Sequence, residues 1–449
     1  MVSARLRCTL ALVGLVFSLA GEGRAAVLAV GPGKPFARIE DALARAAPGD
    51  TVQVFAQPGN QPYRQVAVKL AKPRITLTGV PDERGNRVPI DGSGYNYTGA
   101  GPVPRAIFQF DPAAEGCVLE NFELTGARND SQNGAGVRIN GASAVTVRAC
   151  HIHGNDMGIM SNGRLADKSA ADQRILDCLI EANGAPERAG YNHNLYLGGT
   201  SVLVRGCEIR SAVTGHNLKS RAHLNRIEAC YIHDSANREL DLVDEAGNTD
   251  APESHTLVLG CLLVKRANMN GNKAVIHFGR DGGADHVGTV FLVNNTIVTP
   301  YVSPVVDLSA PGARASLFNN ILWNGGAAQQ GQVVVAMAAK SEATKAQGKN
   351  NWLSAGFTFP VGAIVAADNR LGGRGEAPPF VDPARGNYRL RPAKSGLTGA
   401  GLPLARIGLP AVFGQVELLE FRSPIGAAPR SATDAPDLGA YGAELPAAR

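Results

Sequence analysis

Residues 226–234 read RIEACYIHD, in which polar and apolar side chains alternate as in a β-strand with one buried face. The centre of this stretch is a phrase of four residues: a small or turn-forming residue, a cysteine, and two residues of which the second is Ile or Leu. The phrase recurs every 23 to 34 residues, with its second position at Cys117, Cys150, Cys178, Cys207, Cys230 and Cys261, and then with Asn at Asn295 and Asn320. A strand-like repeat of this length predicts a solenoid, whose coils bury an apolar face only by stacking on one another.

The cysteines of the repeat are predicted to be buried core residues with free thiols. Equivalent residues of stacked coils point the same way, about 4.8 Å apart, and side chains held parallel do not meet the dihedral angle that a disulfide requires. The sequence contains no CxxC pair and no HExxH motif, which argues against a metal site built on these cysteines.

Residues 1–26 have the pattern of a secretory signal peptide. Arg5 and Arg7 precede an apolar run over 10–20, and small residues around Ala25 offer a cleavage site. The apolar run is shorter than the ~20 residues that span a bilayer. We therefore expect an exported chain without a membrane span, periplasmic or secreted, with one domain over 27–442 and a C-terminal tail over 443–449.

Composition narrows the class of partner. The formal net charge is +5 over 449 residues, and removal of the predicted signal peptide lowers it to +3. So small an excess of positive charge does not favour nucleic-acid binding. Fifty-three glycines and an aromatic content of only 6% are typical of short strands joined by tight turns. We expect an all-β, monomeric protein.

A second strand precedes each cysteine phrase, and these strands align by their apolar positions. One of them, NLKSR at 217–221, lies within the polar stretch TGHNLKSRAHLN at 214–225. Side chains of a strand alternate between its faces, so the third residue of each aligned strand should point outward. The predicted outward file is Arg138, Met160, Tyr196, Lys219, Asp241, His277 and Asp307. Further polar residues are expected beside this file: Asn194, Asn217 and Glu239 on one side, Arg221 on the other, and His193, His216, Arg238 and Lys273 just before the strands.

The mixture of side chains in this file indicates a functional groove. Aromatic, basic, acidic and imidazole groups on neighbouring coils, centred on Tyr196, Lys219 and Asp241, differ from the Thr, Ser and Asn surface of a purely structural solenoid. Loops that begin at 163, 184 and 244 are expected to wall the groove. We interpret three histidines outside the file as residues that hydrogen-bond to their neighbours: His151, His153 and His233.

Both ends of the repeat resemble those of right-handed parallel β-helix proteins of the pectin-lyase-like type. Residues 34–68 read as a short amphipathic helix and a PGD turn into strands, and the phrases at 377–392 and 436–441 resemble the closing turns of that fold. The resemblance implies an all-β, single-domain, right-handed parallel β-helix with an N-terminal capping helix.

The groove resembles that of polysaccharide lyases and epimerases that act on uronic-acid polymers. LKS at 218–220, followed by Asn225, is similar to the segment that carries the catalytic lysine in chondroitinase B and related alginate lyases. The resemblance implies an exported polysaccharide lyase whose partner is an acidic polysaccharide, with Lys219 as the catalytic base.

The chemistry of elimination suggests roles for the neighbouring residues. The proton to be removed lies next to a carboxylate, so the site must neutralise that carboxylate and supply a base. Arg221 could neutralise it, and a Ca²⁺ ion held by Glu239 and Asp241 could also grip it. Tyr196 or His193 could protonate the leaving oxygen, and His216 is grouped with these catalytic residues. The residues predicted to bind substrate are Asn194, Asn217, Arg238, Lys273 and His277.

Three alternative functions remain open. A glycoside hydrolase would use Glu239 with Asp241 or Asp244 as a carboxylate pair. A C5-epimerase would use nearly the same groups as a lyase. A non-catalytic glycan-binding solenoid would only hold the acidic chain in the groove.

Overall fold

The computed structural model describes residues 25–187, 190–266, 274–300, 304–326, 331–338, 346–359, 368–373, 376, 378, 380–391, 396–430 and 435–443. The predicted signal peptide lies almost entirely outside these residues. In the described part of the chain, no helix combines the length and apolar character needed to cross a membrane.

The described chain winds through three long parallel sheets, with one strand of each sheet in a typical coil. The winding confirms the predicted all-β, right-handed parallel β-helix. A typical coil passes through sheet 1, then sheet 2, then sheet 3, and the strands are numbered in chain order.

Sheet 1 has ten strands and carries the predicted groove. Its strands are β4 (Val68–Leu70), β7 (Ala106–Phe110), β10 (Ala135–Asn140), β13 (Met157–Asn162), β16 (Leu195–Leu197), β19 (Leu218–Ser220), β22 (Leu240–Val243), β25 (Ile276–Gly279), β28 (Val306–Leu308) and β32 (Val335–Met337).

Sheet 2 follows sheet 1 in each coil and has twelve strands. They are β1 (Val27–Val30), β2 (Thr51–Phe55), β5 (Thr76–Val80), β8 (Val118–Glu120), β11 (Thr146–Arg148), β14 (Gln173–Leu176), β17 (Ser201–Arg205), β20 (Leu224–Glu228), β23 (Thr256–Leu259), β26 (Thr289–Val293), β29 (Arg314–Phe318) and β33 (Ala346–Lys349).

Sheet 3 completes each coil and also has twelve strands. They are β3 (Tyr63–Arg64), β6 (Val88–Asp91), β9 (Phe122–Thr125), β12 (His151–His153), β15 (Leu179–Glu181), β18 (Glu208–Arg210), β21 (Tyr231–His233), β24 (Leu262–Val264), β27 (Thr296–Val298), β30 (Ile321–Trp323), β34 (Trp352–Leu353) and β36 (Arg370–Leu371).

The remaining elements lie mainly at the two ends of the solenoid. Helix α1 (Ile39–Arg45) buries Ile39 and Ala42 and contacts β1, β2 and β4, while its capping role stays a prediction. The described residues contain three further strand pairs and four 3₁₀ turns: β31 (Gln332–Val333) with β35 (Phe357–Thr358), β37 (Phe380–Asp382) with β38 (Asn387–Leu390), β39 (Leu419–Phe421) with β40 (Ala427–Pro429), and the turns Pro58–Asn60, Pro383–Arg385, Leu404–Arg406 and Ala411–Phe413.

The cysteine phrase forms the corner between sheets 2 and 3. Cys150, Cys178, Cys207, Cys230 and Cys261 are buried, have free thiols and occupy equivalent positions of successive coils. The residue before each of them has a positive φ, as at Ala149 (52°) and Gly206 (65°), which makes the tight corner and explains the small residues of the phrase.

The asparagines continue this corner stack, as the sequence predicted. The backbone N–H of Cys230 points to the sulfur of Cys261 at 3.4 Å, and the N–H of Cys261 donates to Oδ1 of Asn295 at 2.9 Å. Asn295 donates in turn to Asn320, and Asn320 donates to Asn351. Asn and Cys therefore share one structural position because both accept an N–H from the preceding coil.

Cys117 does not belong to this stack. It lies before β8, at the opposite end of a sheet 2 strand, where its sulfur accepts the N–H of Ile75 at 3.4 Å. The register of β9 with β12 places Phe122 under Cys150 instead. The prediction of one uniform phrase is wrong here because the same four-residue pattern can begin or end a short strand. The free, buried thiol predicted for Cys117 is confirmed.

The C-terminal segment covers the outer faces of the later strands of sheets 2 and 3. Phe380, Tyr388 and Leu438 pack with Leu262 and Trp352 of sheet 3. A second apolar cluster joins the same segment to sheet 2 through Ile407, Phe413, Leu257 and Phe291. The groove lies on the remaining face, the outside of sheet 1.

Candidate active site

The structure confirms the register of the predicted outward file. Successive strands of sheet 1 pair Arg138 with Met160, Met160 with Tyr196, Tyr196 with Lys219, Lys219 with Asp241, Asp241 with His277, and His277 with Asp307. The intervening residues Leu218 and Ser220 are buried on the other face, as the alternation requires. The central polar side chains therefore stand side by side along the axis of the solenoid.

Asp241 is the hub of the charged cluster. Its Oδ1 lies 2.6 Å from Nη1 of Arg238 and 2.8 Å from Nδ1 of His277, and its Oδ2 lies 3.0 Å from Nζ of Lys219 and 3.3 Å from Nε2 of His216. Burial on its own would raise the pKa of Asp241, but the hydrogen bond with His277 and the surrounding positive charges hold the pKa well below its usual range. Asp241 is thus a carboxylate that fixes the positions of its neighbours.

Lys219 and Arg221 converge on a single carboxylate oxygen. Nζ of Lys219 and Nη2 of Arg221 lie 2.6 Å and 2.7 Å from Oδ2 of Asp281, whose side chain is 40% exposed. Nε of Arg221 donates to the hydroxyl of Tyr196 at 3.0 Å. Burial opposes the charge of Arg221, but Tyr196 and Asp281 outweigh it and raise the pKa of Arg221. Two cations and a phenol therefore surround one anion position that is open to solvent.

Asp244 fixes the loop that carries Asp281. The carboxylate of Asp244 accepts the backbone N–H groups of Asp281, Gly282 and Ala284, and its backbone carbonyl accepts a hydrogen bond from Arg221. These contacts occupy Asp244, which removes it from the carboxylate pair considered for a hydrolase. Asp281 was not among the predicted site residues, because it lies in the loop after β25 and outside the strand alignment.

His193 and His216 support the backbone at the start of neighbouring strands. Nδ1 of His193 accepts the N–H of His216 at 3.0 Å, and Nδ1 of His216 accepts the N–H of Arg238 at 3.1 Å. Their rings stack with centroids 4.9 Å apart. Burial lowers the pKa of His193 well below its usual value and lowers the pKa of His216 to about 3. Both imidazoles are therefore neutral at pH 7, so the predicted role of His193 as a donor of a proton to the leaving group has no support from its surroundings.

Asn194, Asn217 and Glu239 do not border the groove, so the surface position predicted for them is wrong. They are fully buried and form a second polar ladder inside the corner between sheets 3 and 1. Asn194 donates to Asn217 at 2.8 Å, and Asn217 donates to Glu239 at 2.5 Å. Residues just before a strand turn inward at this corner, which places them on the side opposite the file and away from any bound chain.

Glu239 and Asp241 do not form the calcium site that was predicted. The oxygens of Glu239 accept hydrogen bonds from Asn217 and Ser235 inside the solenoid, and burial raises the pKa of Glu239. The oxygens of Asp241 face four nitrogen-bearing side chains, a donor set that does not suit a hard cation. Because Glu239 lies inside the solenoid and Asp241 belongs to the outward file, these two carboxylates do not form a hydrolase pair. Calcium binding by the chain stays a prediction, without these two residues as ligands.

The remaining predicted substrate-binding residues differ in accessibility. The side chain of Arg238 is 15% exposed and that of His277 is 4% exposed, and both contact Asp241. Nε2 of His277 also lies 2.6 Å from the hydroxyl oxygen of Ser309. Lys273 lies outside the described residues.

An open cleft of about 790 Å³ extends the cluster toward the N-terminal coils. Its lining includes Arg138, Met160, Asn162, Tyr196, Arg221, Glu245 and Asn248. The predicted wall loops border it: Asn248, in the loop after Asp244, accepts the N–H of Leu165 at 2.9 Å. Arg138 forms no ion pair with a described residue, and its Nη1 lies 3.7 Å from the sulfur of Met160. Burial and the charge of Arg105 lower the pKa of Arg138.

Comparisons with known proteins identify similar folds. No protein-family model and no curated protein sequence matches the chain. Among solved structures, the chain is similar to pectate lyase Pel9A, with 13% identity, a TM-score of 0.46, and coverage of 94% of this chain and 98% of that one. It is also similar to the PL6 family alginate lyase AlyGC, with 15% identity, a TM-score of 0.40, and coverage of 74% and 40%. An alginate lyase from Paenibacillus sp. str. FPU-7 matches with 15% identity, a TM-score of 0.38, and coverage of 77% and 99%.

Proposed function

We propose that the groove on sheet 1 binds an acidic polysaccharide and cleaves it at a uronic-acid residue by β-elimination. The observation that carries this proposal is the anion position between Lys219 and Arg221. Both cations point to one oxygen of Asp281, at 2.6 Å and 2.7 Å, and the Tyr196 hydroxyl lies one hydrogen bond from Arg221. A uronate carboxylate that replaced Asp281 would meet two positive charges, and its α-carbon would lie near a phenol.

This placement assigns different roles to the cations and to the phenol. Lys219 and Arg221 neutralise the substrate carboxylate, so that negative charge can develop on it as the neighbouring proton leaves. Lys219 was predicted to be the base. Its ammonium group lies between the carboxylates of Asp241 and Asp281, a position that suits it better to neutralising a carboxylate than to accepting a proton. Tyr196 then serves proton transfer: its ionised form takes the proton from the carbon, and the resulting phenol returns a proton to the leaving glycosidic oxygen. Asp241 holds Lys219 in place.

The open cleft beside the cluster gives room for further sugar units. Arg138 lies three strands away from Lys219 along the file and forms no ion pair with a described residue, so its charge is available to a second carboxylate of the polymer. An acidic chain laid across the strands would meet Arg138 and Arg221 in turn, with the 163–169 and 245–248 segments on its flank.

The test is incubation of the purified protein with a panel of acidic polysaccharides, followed by near-ultraviolet absorbance, reducing-end assays and binding assays. We expect absorbance to rise as the unsaturated product of elimination forms. Reducing ends without absorbance would show hydrolysis, inverted uronate stereochemistry without cleavage would show epimerisation, and binding alone would show a non-catalytic module. Each of these three outcomes contradicts the proposal.

Substitution of Tyr196 tests the assignment within the site. Tyr196→Phe keeps the ring that packs against His193 and removes the hydroxyl, so we expect kcat to fall roughly 10²- to 10⁴-fold with a smaller change in KM. Tyr231→Phe is the control, because Tyr231 lies on sheet 3, away from the groove, and its ring also contacts a histidine. Equal activity of the two variants would remove Tyr196 from the chemistry.

A further inference from the structure

The outer face of sheet 3 carries a second cluster of histidines and carboxylates, on the side of the solenoid that bears no part of the groove. His151 and His153 are alternate residues of β12 and so point to the same side. Glu123 on β9 pairs in register with His151, and Glu181 on β15 pairs in register with His153. Four possible metal ligands are thereby placed on three adjacent strands of a rigid sheet.

The side chains of this cluster converge. Nε2 of His153 lies 3.0 Å from Oε1 of Glu123, Nε2 of His151 lies 2.9 Å from Oε1 of Glu181, and the two rings have centroids 4.3 Å apart. One ligand atom from each of Glu123, His151 and His153 can be chosen so that all three lie within 4.8 Å of one another. Two imidazole nitrogens and a carboxylate oxygen are therefore close enough together to hold one metal ion.

We propose that Glu123, His151 and His153, with Glu181 as a fourth donor, bind a divalent transition-metal ion of the zinc class. Two imidazoles with one or two carboxylates form a donor set that zinc accepts in tetrahedral geometry, and imidazole selects zinc, copper or nickel over calcium. Oε2 of Glu181 is held by Nε of Arg210 at 2.6 Å, which orients the carboxylate and leaves Oε1 toward His151.

The cluster is accessible from solvent. The four side chains are between 21% and 37% exposed, which gives an ion direct access from solvent.

The neighbouring His233 offers an internal control. It lies on β21 of the same sheet, with Nδ1 2.9 Å from Asp234 and Nε2 3.3 Å from Glu208. Although burial opposes its charge, those two carboxylates raise the pKa of His233, so the group favours the protonated form that does not bind metal. A histidine that only pairs with carboxylates is thus available on the same surface.

The experiment is titration of the purified, chelator-treated protein with Zn²⁺ by calorimetry and with Co²⁺ by visible absorption. We expect one equivalent of metal to bind, with the intense bands of tetrahedral Co²⁺. His151→Gln and His153→Gln should each weaken binding at least 10-fold, and Glu123→Gln should weaken it less. His233→Gln should bind as the unchanged protein does, and circular dichroism should show that all four variants are folded.

Absence of stoichiometric Zn²⁺ binding would overturn the proposal. The proposal would also be overturned if the His151→Gln and His153→Gln variants bound Zn²⁺ as tightly as the unchanged protein, or if only His233→Gln lost binding. Because the readout is metal uptake on sheet 3, the outcome is independent of whether the sheet 1 groove is a lyase site.

Discussion

At the scale of single residues, Asp281 stands where a ligand would stand. Its carboxylate lies between Lys219 and Arg221, yet the side chain is 40% exposed and extends from a loop rather than from the sheet. The two cations belong to β19 and the residue after it, and Asp241 from the adjacent strand contacts Lys219. Lys219 and Arg221 therefore form an anion-binding position in the groove, and the Asp281 carboxylate from the loop fills it until a substrate carboxylate displaces it.

Asp281→Asn is expected to strengthen substrate binding. An intramolecular carboxylate competes with the substrate carboxylate for Lys219 and Arg221, so its removal should lower KM by roughly 2- to 10-fold. Asp307→Asn is the matched control. Asp307 is an aspartate of the same outward file, and it lies two strands beyond Asp241. Steady-state kinetics on the polysaccharide that the panel identifies would measure both. A rise in KM for Asp281→Asn would instead make Asp281 part of the substrate site.

The sequence could predict which residues of sheet 1 point outward but not which residues turn inward at its edge. Alternation within a strand follows from backbone geometry, and Tyr196, Lys219 and Asp241 obey it. Asn217 and Glu239 precede their strands, where the corner reverses the simple alternation. Asp281 reaches the site through a loop whose path is fixed by hydrogen bonds to Asp244, and no periodic pattern encodes such a path.

At the scale of elements, the corner stack shows how one position accepts two residue types. Cys207 and Cys261 present sulfur atoms to the N–H groups of the preceding coil, and Asn295 and Asn320 present amide oxygens. The asparagine side chain also donates, so each amide joins two coils through several hydrogen bonds. The C-terminal coils are therefore held more firmly at this corner than the coils with cysteine.

Asn320→Ala is expected to destabilise the protein by about 3–5 kcal/mol. Asn320 accepts from the backbone and side chain of Asn295 and donates to Leu292 and Asn351, so the change leaves buried donors and acceptors unpaired. Cys207→Ala, at the equivalent position of an earlier coil, should cost only about 1–2 kcal/mol, because it removes one buried sulfur atom. Urea unfolding of both variants measures the difference, and equal losses would show that the amide hydrogen bonds add nothing.

The strand pattern was readable from the sequence because each coil repeats the same physical requirement. Every coil needs an apolar side chain inward at fixed positions and a residue tolerant of positive φ at the corner, as at Gly206 and Asn294. Cys117 shows the limit of this reasoning. Its phrase follows the same pattern as the others, but three-residue strands are so short that the phrase fits at either end of one.

At the scale of the whole molecule, the C-terminal segment packs on the later strands of sheets 2 and 3 and leaves sheet 1 uncovered. Its apolar side chains pack on sheets 2 and 3 through the clusters around Phe413 and Phe380, while the charged file of sheet 1 faces the cleft. Sheet 1 also concentrates buried histidines and carboxylates that depend on one another for charge balance. The ionisation of these groups therefore affects both the stability of the fold and the charge of the groove.

The buried neutral histidines predict that the protein loses stability on mild acidification. Burial lowers the pKa of His216 and of His286 to about 3, whereas an unfolded histidine has a pKa of about 6.5. Between these values the unfolded state binds protons that the folded state does not, so stability is complete above pH 6.5 and falls by about 1.4 kcal/mol per pH unit for each such residue below it. Urea unfolding at several pH values between 7.5 and 5 measures the slope of stability against pH.

Two substitutions test which histidines cause this slope. His286→Gln should reduce the slope. His233→Gln should steepen it, because the pKa of His233 is raised and its charged form stabilises the fold in acid. A slope that neither substitution changes would show that these two histidines do not govern the response to acid.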